Sequence, residues 1–404
     1  MRMTELRAQL AILHSGQTAN QPIVWKVLYA RRRQPLLVPL HIPQARQSIA
    51  FFIRNPLLRY WGNLLLTIDR WLPGLRLLPT IALDNFPNRI FFGDEDMRTT
   101  ALLCGCPGPL QKLTIYCPAP DGNQGQVTKV AMHLSANAAV AHEAHQLEML
   151  GRQPQIARFL PPLLQQGVLP CGRRYLSMKS LPQGISASGF NRRHHALLRI
   201  LADQSLVFER WRHSQAYLRL AARTHVVLPL VDEEARMLLL MTLADIELDI
   251  GNRKLPTCLC HGDFAPWNLR ETNGEMYALD WEYAETSGNP IQDFLHFHLI
   301  QRALSRRPLR TGSMASLLDK AAAYANRQFG PDSGVAAARG GLTLYYLLDI
   351  VTFYVASAGH MDVTHPVLRA YLALIRQRAD WMPWPVPEDR RNGGESLHEF
   401  RYGR

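Results

Sequence analysis

The sequence predicts an α+β fold. A small antiparallel β-sheet with one helix is followed by a mainly helical region, and an extra basic N-terminal segment precedes both. Three observations carry that expectation. Strand-like runs separated by turn formers fill residues 100–133. One helical pattern follows, from Asn137 to Gly151. Past Gly184 the apolar spacing becomes that of helices. With 404 residues, 47% of them hydrophobic, the chain can bury a large core, and global disorder is excluded.

Taken in order, Met1 to Asp84 is basic and apolar, with a helix expected from Pro56 to Leu72. Of the net charge of +12, most arises before Tyr60, where nine basic residues face one acid. Asp84 to Arg98 reads as a connector broken by Asn85, Pro87, Asn88 and Gly93. Thr100 to Gly105 is an apolar strand that ends in the turn Gly105-Cys106-Pro107-Gly108. Gln111 to Cys117 alternates polar and apolar residues, as a half-buried strand does. The turn formers of Pro118 to Gly125 lead to a third strand, Val127 to His133. Two more strands are expected at Gln166 to Leu169 and Arg174 to Met178, before Leu181-Pro182-Gln183-Gly184 breaks the chain. His195 to Thr224 and Asp232 to Ile250 have helical spacing, and the polar tail from Pro383 to Arg404 is expected to be loosely held. The expected divisions are therefore 1–98, 99–180, 181–382 and 383–404.

Several classes are disfavoured. Six cysteines in this length are not a disulfide scaffold, and Cys104/Cys106 and Cys258/Cys260 are C-x-C pairs without the usual zinc spacing. Free thiols fit a reducing cytoplasm. The first residues lack a signal-peptide pattern. Trp61 to Leu83 and Gly341 to Ala358 are the stretches closest to membrane spans, but charges such as Asp69, Arg70 and Asp349 interrupt them. His142-Glu143-Ala144-His145 places its second histidine one residue too close for a zinc protease. There is no G-x-S-x-G and no P-loop.

The chemistry concentrates between Cys258 and Phe294. An apolar run ends at His261, Asp263 follows, and Asn268 lies five residues on. A turn at Thr272-Asn273-Gly274 leads to a second short strand that ends at Asp280. A hairpin that gathers these side chains makes a set of hard oxygen donors suited to Mg²⁺. Asp263 is then free to orient or deprotonate a hydroxyl.

This stretch resembles the aminoglycoside phosphotransferase and choline kinase family, whose signature is H-x-D-x-x-x-x-N followed by a strand ending in D. Here it reads His261-Gly262-Asp263 through Asn268, then Asp280-Trp281-Glu282. The resemblance implies a protein-kinase-like fold of two lobes. It implies ATP and Mg²⁺ as cofactors, Asp263 as catalytic residue, and Asn268 and Asp280 as metal ligands. His261 and Asp293 take structural roles in the site. It also requires a lysine on the third strand and a glutamate on the next helix. Lys129 and Glu143 fill those places, with Glu148 the competing glutamate. Gly105 and Gly108 correspond to a reduced glycine loop, and Met178, Lys179, Ser180 and Leu181 to the adenine-binding linker. The likeness covers residues 100–360 and does not reach 1–83.

The implied partner is a small-molecule hydroxyl acceptor such as a sugar, aminoglycoside or amino alcohol, with a sugar preferred by analogy. Two readings of the basic segment stay open, a strap packed on the core and an anionic membrane surface met by residues 54–83. The latter would make a cytoplasmic protein peripheral at the inner membrane face. No nucleic-acid module is visible, and no oligomeric state is specified. The alternative function is a nucleotide-binding pseudokinase or scaffold that docks through the N-terminal segment.

Overall fold

A computed structural model describes residues 3–11, 13, 23–29, 34–53, 55–72, 77–83, 91, 99–119, 125–181, 184–185, 189–272, 274–306 and 310–382. The chain divides into two compact units. The first takes Met1–Leu206, Cys258–Thr286 and His296–His298. The second takes Val207–Thr257, Ser287–Leu295 and Leu299–Arg404. The fold is α+β, as expected.

The first unit is built on an eight-stranded antiparallel sheet. Its strands are β1 (Ile23–Tyr29), β2 (Pro35–Pro39), β3 (Thr80–Leu83), β4 (Ala101–Cys104), β5 (Lys112–Cys117), β6 (Gln126–Ala131), β7 (Leu163–Val168) and β8 (Arg174–Lys179). They are ordered β3-β1-β2-β4-β5-β6-β8-β7. The registers align one cross-strand row, Leu28, Leu36, Leu103, Thr114, Lys129 and Leu176, from the N-terminal segment to the lysine of β6.

Helices α1 (Met3–Ala11), α2 (Ile42–Phe52) and α3 (Pro56–Trp71) precede β4. One sheet face packs Trp25, Val27, Leu37, Leu102, Leu113 and Val130 with Leu6 and Leu10 of α1. The other face packs Leu28, Leu36 and Val38 against Ala45 and Ile49 of α2 and Leu66 of α3. The Asn55 side chain caps α3 by accepting from the Leu57 and Leu58 amides, ahead of a first-turn proline.

These contacts correct the division expected at 98/99. β2 pairs with β4 across it, through Leu36–Leu103 and Leu37–Leu102. The N-terminal segment is part of the sheet. All five residues of β2 are buried, so that strand shows no polar alternation to read. The connector, apart from Phe91, and the tail 383–404 lie outside the described residues, as do the turn residues 120–124 and 182–183.

Helix α4 (Asn137–Gly151) follows β6, and the single turn α5 (Pro154–Ala157) comes next. Asn137 anchors α4 to the β7–β8 hairpin, donating to the Gly172 carbonyl and accepting from the Arg174 amide.

The remaining helices are α6 (Arg192–Asp203), α7 (Gln215–Val227), α8 (Glu233–Ile246), α9 (Gln292–Leu304), α10 (Thr311–Phe329), α11 (Arg339–Ala358), α12 (Pro366–Arg376) and α13 (Arg378–Trp381). The helical spacing of His195 to Thr224 resolves into α6 and α7, separated by strand β9 (Val207–Arg210). Ser214 caps α7 by accepting from the Tyr217 amide, so the chain stops and restarts there. β9 pairs with β10 (Lys254–Cys260) within the second unit, Lys254 opposite Arg210.

Among the described residues α11 is the one helix long and apolar enough to cross a membrane, and 67% of its apolar window is buried in the protein. Asp349 on that helix pairs with Arg223 of α7. Burial raises the Asp349 pKa, with Arg223 and Arg219 opposing it. A buried, charge-paired helix of this kind is a core element.

Candidate active site

β10 delivers the chain to His261. The hairpin β11 (Leu269–Thr272) and β12 (Glu275–Ala278) then turns it back to Asp280. The Leu279 amide donates to the Asn268 carbonyl at 2.8 Å, which fixes the end of the hairpin beside the loop. The His261 imidazole donates through Nε2 to the Leu279 carbonyl at 2.8 Å. Its Nδ1 accepts from the Asp263 amide at 3.3 Å. The histidine thus ties the loop to the Asp280 turn through both ring nitrogens. Gly262 sits at φ +82°, where a Cβ would stand 2.1 Å from the Tyr283 carbonyl oxygen. Close backbone approach therefore demands glycine.

Asp263 is gripped on both oxygens. Asn268 Nδ2 donates to Oδ2 at 2.7 Å, and His296 Nε2 meets Oδ1 at 2.8 Å. His296 lies on α9, outside the motif. Its distance from the motif, 33 residues on, left no local signal.

Lys129 of β6 is the hub of the charged cluster. Its Nζ bonds Glu143 Oε1 of α4 at 2.5 Å and also Asp280 Oδ1. Of the two competing glutamates, Glu143 is the one on Lys129, while Glu148 pairs with Arg152 on the surface. Burial would lower the lysine pKa, but Asp280, Glu143 and Glu282 outweigh it and hold it above the ordinary range. For Asp280, burial pushes up and Lys129 and Lys112 push down harder, leaving it at about 2. Burial raises Glu143. Lys112 of β5 bonds Glu282, a second tie from sheet to turn. His142 reaches the Ala284 carbonyl at 2.9 Å, so the would-be zinc histidine brackets the same turn from α4. Asp280 itself has φ 62° and ψ 63°. Such a left-handed non-glycine conformation persists where surrounding contacts over-determine it.

A cavity of about 1180 Å³ opens on this cluster. Ligand sites usually measure about 300–1,000 Å³. Lys129, Asn268 and Asp280 line it, as do Met178, Lys179, Ser180 and Leu181. The Lys179 and Ser180 amides are engaged by the Pro162 and Gly125 carbonyls, at 2.9 and 2.7 Å. Arg270, unforeseen from sequence, also lines the cavity. Burial lowers its pKa to about 10 against the pull of Asp280. So do Phe51, Leu58, Arg59 and Trp61 of the N-terminal segment, and Phe51 stacks on Tyr116 with centroids 4.0 Å apart.

Several expected site residues are not in the cavity lining, Asp263, Glu143, His261, Gly105, Gly108 and Asp293 among them. Gly105 and Gly108 form the β4–β5 turn, away from the cavity lining. Their glycine requirement is conformational: Gly108 has φ +151°, and a Cβ on Gly105 would lie 2.8 Å from the Lys112 carbonyl oxygen. Asp293 is buried in the first turn of α9, within the second unit. The catalytic loop, expected in a helical division from 181 onward, belongs instead to the sheet unit, because Lys129, Lys112 and His142 all bond to its turn.

Residues 137–329 match the sequence model of the phosphotransferase enzyme family. No curated protein matches the chain. Among solved structures, a thermostable mutant of aminoglycoside phosphotransferase APH(4)-Ia in apo form is 15% identical, with 69% of this chain and 94% of that one covered and a TM-score of 0.46. Amicoumacin kinase hAmiN, in complex with AMP-PNP, Ca²⁺ and Ami, is 12% identical, with 70% and 90% covered and a TM-score of 0.47. The streptomycin–ATP–APH(2")-IIa ternary complex is 14% identical, with 70% and 93% covered and a TM-score of 0.44. The matched segment, which holds Glu143, Asp263, Asn268 and Asp280, is similar to the phosphotransferase enzyme family.

Proposed function

We propose that the chain transfers the γ-phosphate of ATP to a hydroxyl of a small molecule. The observation that carries this reading is Lys129 bridging Glu143 and Asp280 in the wall of a cavity that also presents Asn268. A paired lysine of this kind cradles the α- and β-phosphates. Met178 to Leu181 form the rim suited to the base.

The donor set fits Mg²⁺. Asn268 and Asp280 line the cavity and carry hard oxygens, and Mg²⁺ characteristically takes one or two protein oxygens plus phosphate and water. When bound, the ion neutralises charge on the β- and γ-phosphates. Asp263 receives the acceptor's hydroxyl. Asn268 and His296 fix both of its oxygens, so its direction is set before substrate arrives. The acceptor oxygen bonds to the γ-phosphorus, the bond to the β-bridging oxygen breaks, and ADP leaves. The hydroxyl proton passes to Asp263. Positioning and electrostatics supply most of the rate. A sugar or sugar-containing molecule is the acceptor class favoured by analogy with related kinases.

The test is binding and turnover together. Mg-ATP should raise the melting temperature of wild type and should leave Lys129→Ala unshifted. Wild type given Mg-ATP and a mixed panel of sugars, aminoglycosides and amino alcohols should yield a product with one added phosphate. Nucleotide binding with no product from any acceptor class would favour the pseudokinase reading instead.

A further inference from the structure

Helix α3 has two apolar faces and the fold covers one of them. Gly62, Leu66 and Asp69 are buried, and Ile49 of α2 would lie 3.5 Å from a Cβ on Gly62. Rotated from that face, Leu57, Trp61, Leu64, Ile68, Trp71 and Leu72 recur at helical spacing and form a second stripe. Leu57 is 71% exposed, Trp61 57%, Trp71 77% and Leu72 53%. A contiguous apolar stripe this open marks an interaction surface.

The charges beside it select the partner. Residues 54–83 carry four arginines, Arg54, Arg59, Arg70 and Arg76, and one acid, Asp69. That acid is turned inward, held by Lys26 Nζ at 2.8 Å and by the Leu78 amide at 3.0 Å. Among the described residues of the helix Arg70 is the exposed charge, Arg59 is half-buried with its Nε on the Ile53 carbonyl at 3.1 Å, and Trp61 and Trp71 stand on the apolar side, while Arg54 and Arg76 lie outside the described residues. We infer that α3 docks in the plane of an anionic lipid surface. Tryptophan and leucine enter the headgroup boundary, and the arginines meet lipid phosphates. At 16 residues the helix is about 24 Å long, and its polar side, Asn63, Thr67 and Arg70, keeps it flat and not spanning. Leu58, Trp61 and Leu65 of this helix also wall the cavity, so docking brings the cavity's edge to the bilayer.

Flotation of the full chain with vesicles of phosphatidylcholine, with and without phosphatidylglycerol, tests it. Wild type should float with the anionic vesicles, stay behind with neutral ones, and detach as salt rises. Leu57→Gln with Trp71→Gln lies outside the cavity lining. That pair should cut the bound fraction about tenfold or more while the melting curve and Mg-ATP binding stay as in wild type. Arg70→Gln should cause a smaller loss and a weaker salt dependence. Absence of binding to anionic vesicles at low salt, or equal binding by the double variant, would overturn the inference. A wild-type dimer that the double variant abolishes, without vesicle binding, would overturn it too and assign the stripe to a second copy.

Discussion

Two stretches of the sheet's cross-strand row are held by different forces. At β6, Lys129 is fixed by charge, between the carboxylates of Glu143 and Asp280. At β1 and β2, Leu28 and Leu36 are fixed by apolar packing under α2 and α3. A charge cluster fails all at once when one member is lost, because its partners are left buried and uncompensated. An apolar layer yields more gradually, by the volume removed.

Substitutions can break that contrast or sharpen it. Lys129→Met strands Glu143 and Asp280 and should cost about 3–5 kcal/mol, read by denaturant unfolding. A loss below about 1 kcal/mol would mean that the cluster contributes little to the fold. Ile49→Ala opens the fully buried layer at the other stretch and should cost about 2–4 kcal/mol. It should also lower Mg-ATP affinity, since α2 walls the cavity through Phe51 and Phe52. Gly262→Ala meets the Tyr283 carbonyl oxygen and an unfavourable φ together. About 1–3 kcal/mol of destabilisation is expected, with turnover falling further than stability. His296→Gln can retain a donor toward Asp263 where His296→Ala cannot. The alanine variant should lose about tenfold or more in kcat, glutamine should recover part, and KM for ATP should hold.

The acid limb of stability is a finer probe of the charged stretch. Asp280 is depressed from 3.8 to about 2 because Lys129 and Lys112 outweigh its burial. A depressed carboxylate contributes above its unfolded pKa and loses that contribution as pH falls through the folded one. Wild-type stability should therefore drop between pH 3.8 and about 2 by more than that of Lys129→Met. Parallel acid limbs would contradict the pairing.

What could be read in advance follows the same division. Asp263, Asn268 and Asp280 lie within 18 residues, and the local hairpin that gathers them is written in the turn at Gly274. Lys129 and Glu143 were reachable because one strand and one helix join them directly. Strands β1 to β3 were not, because they have meaning only as sheet neighbours, β3 on β1, β1 on β2 and β2 on β4, the first and last of these pairings across long intervals of sequence. Asp69 reads as a break in an apolar run, whereas the fold turns it inward onto Lys26, 43 residues earlier. His296 and Arg270 were missed for a related reason: neither has a motif, and each matters through what the fold places beside it.

The central claim is that Asp263 directs phosphate to a hydroxyl within a site that binds nucleotide without it. Wild type and Asp263→Ala should be given Mg-ATP and the mixed acceptor panel side by side, with products read by mass spectrometry and nucleotide binding by calorimetry. The account predicts that the variant binds Mg-ATP as wild type does and forms product at a rate lower by about a hundredfold or more. Near-normal turnover in the variant would contradict it.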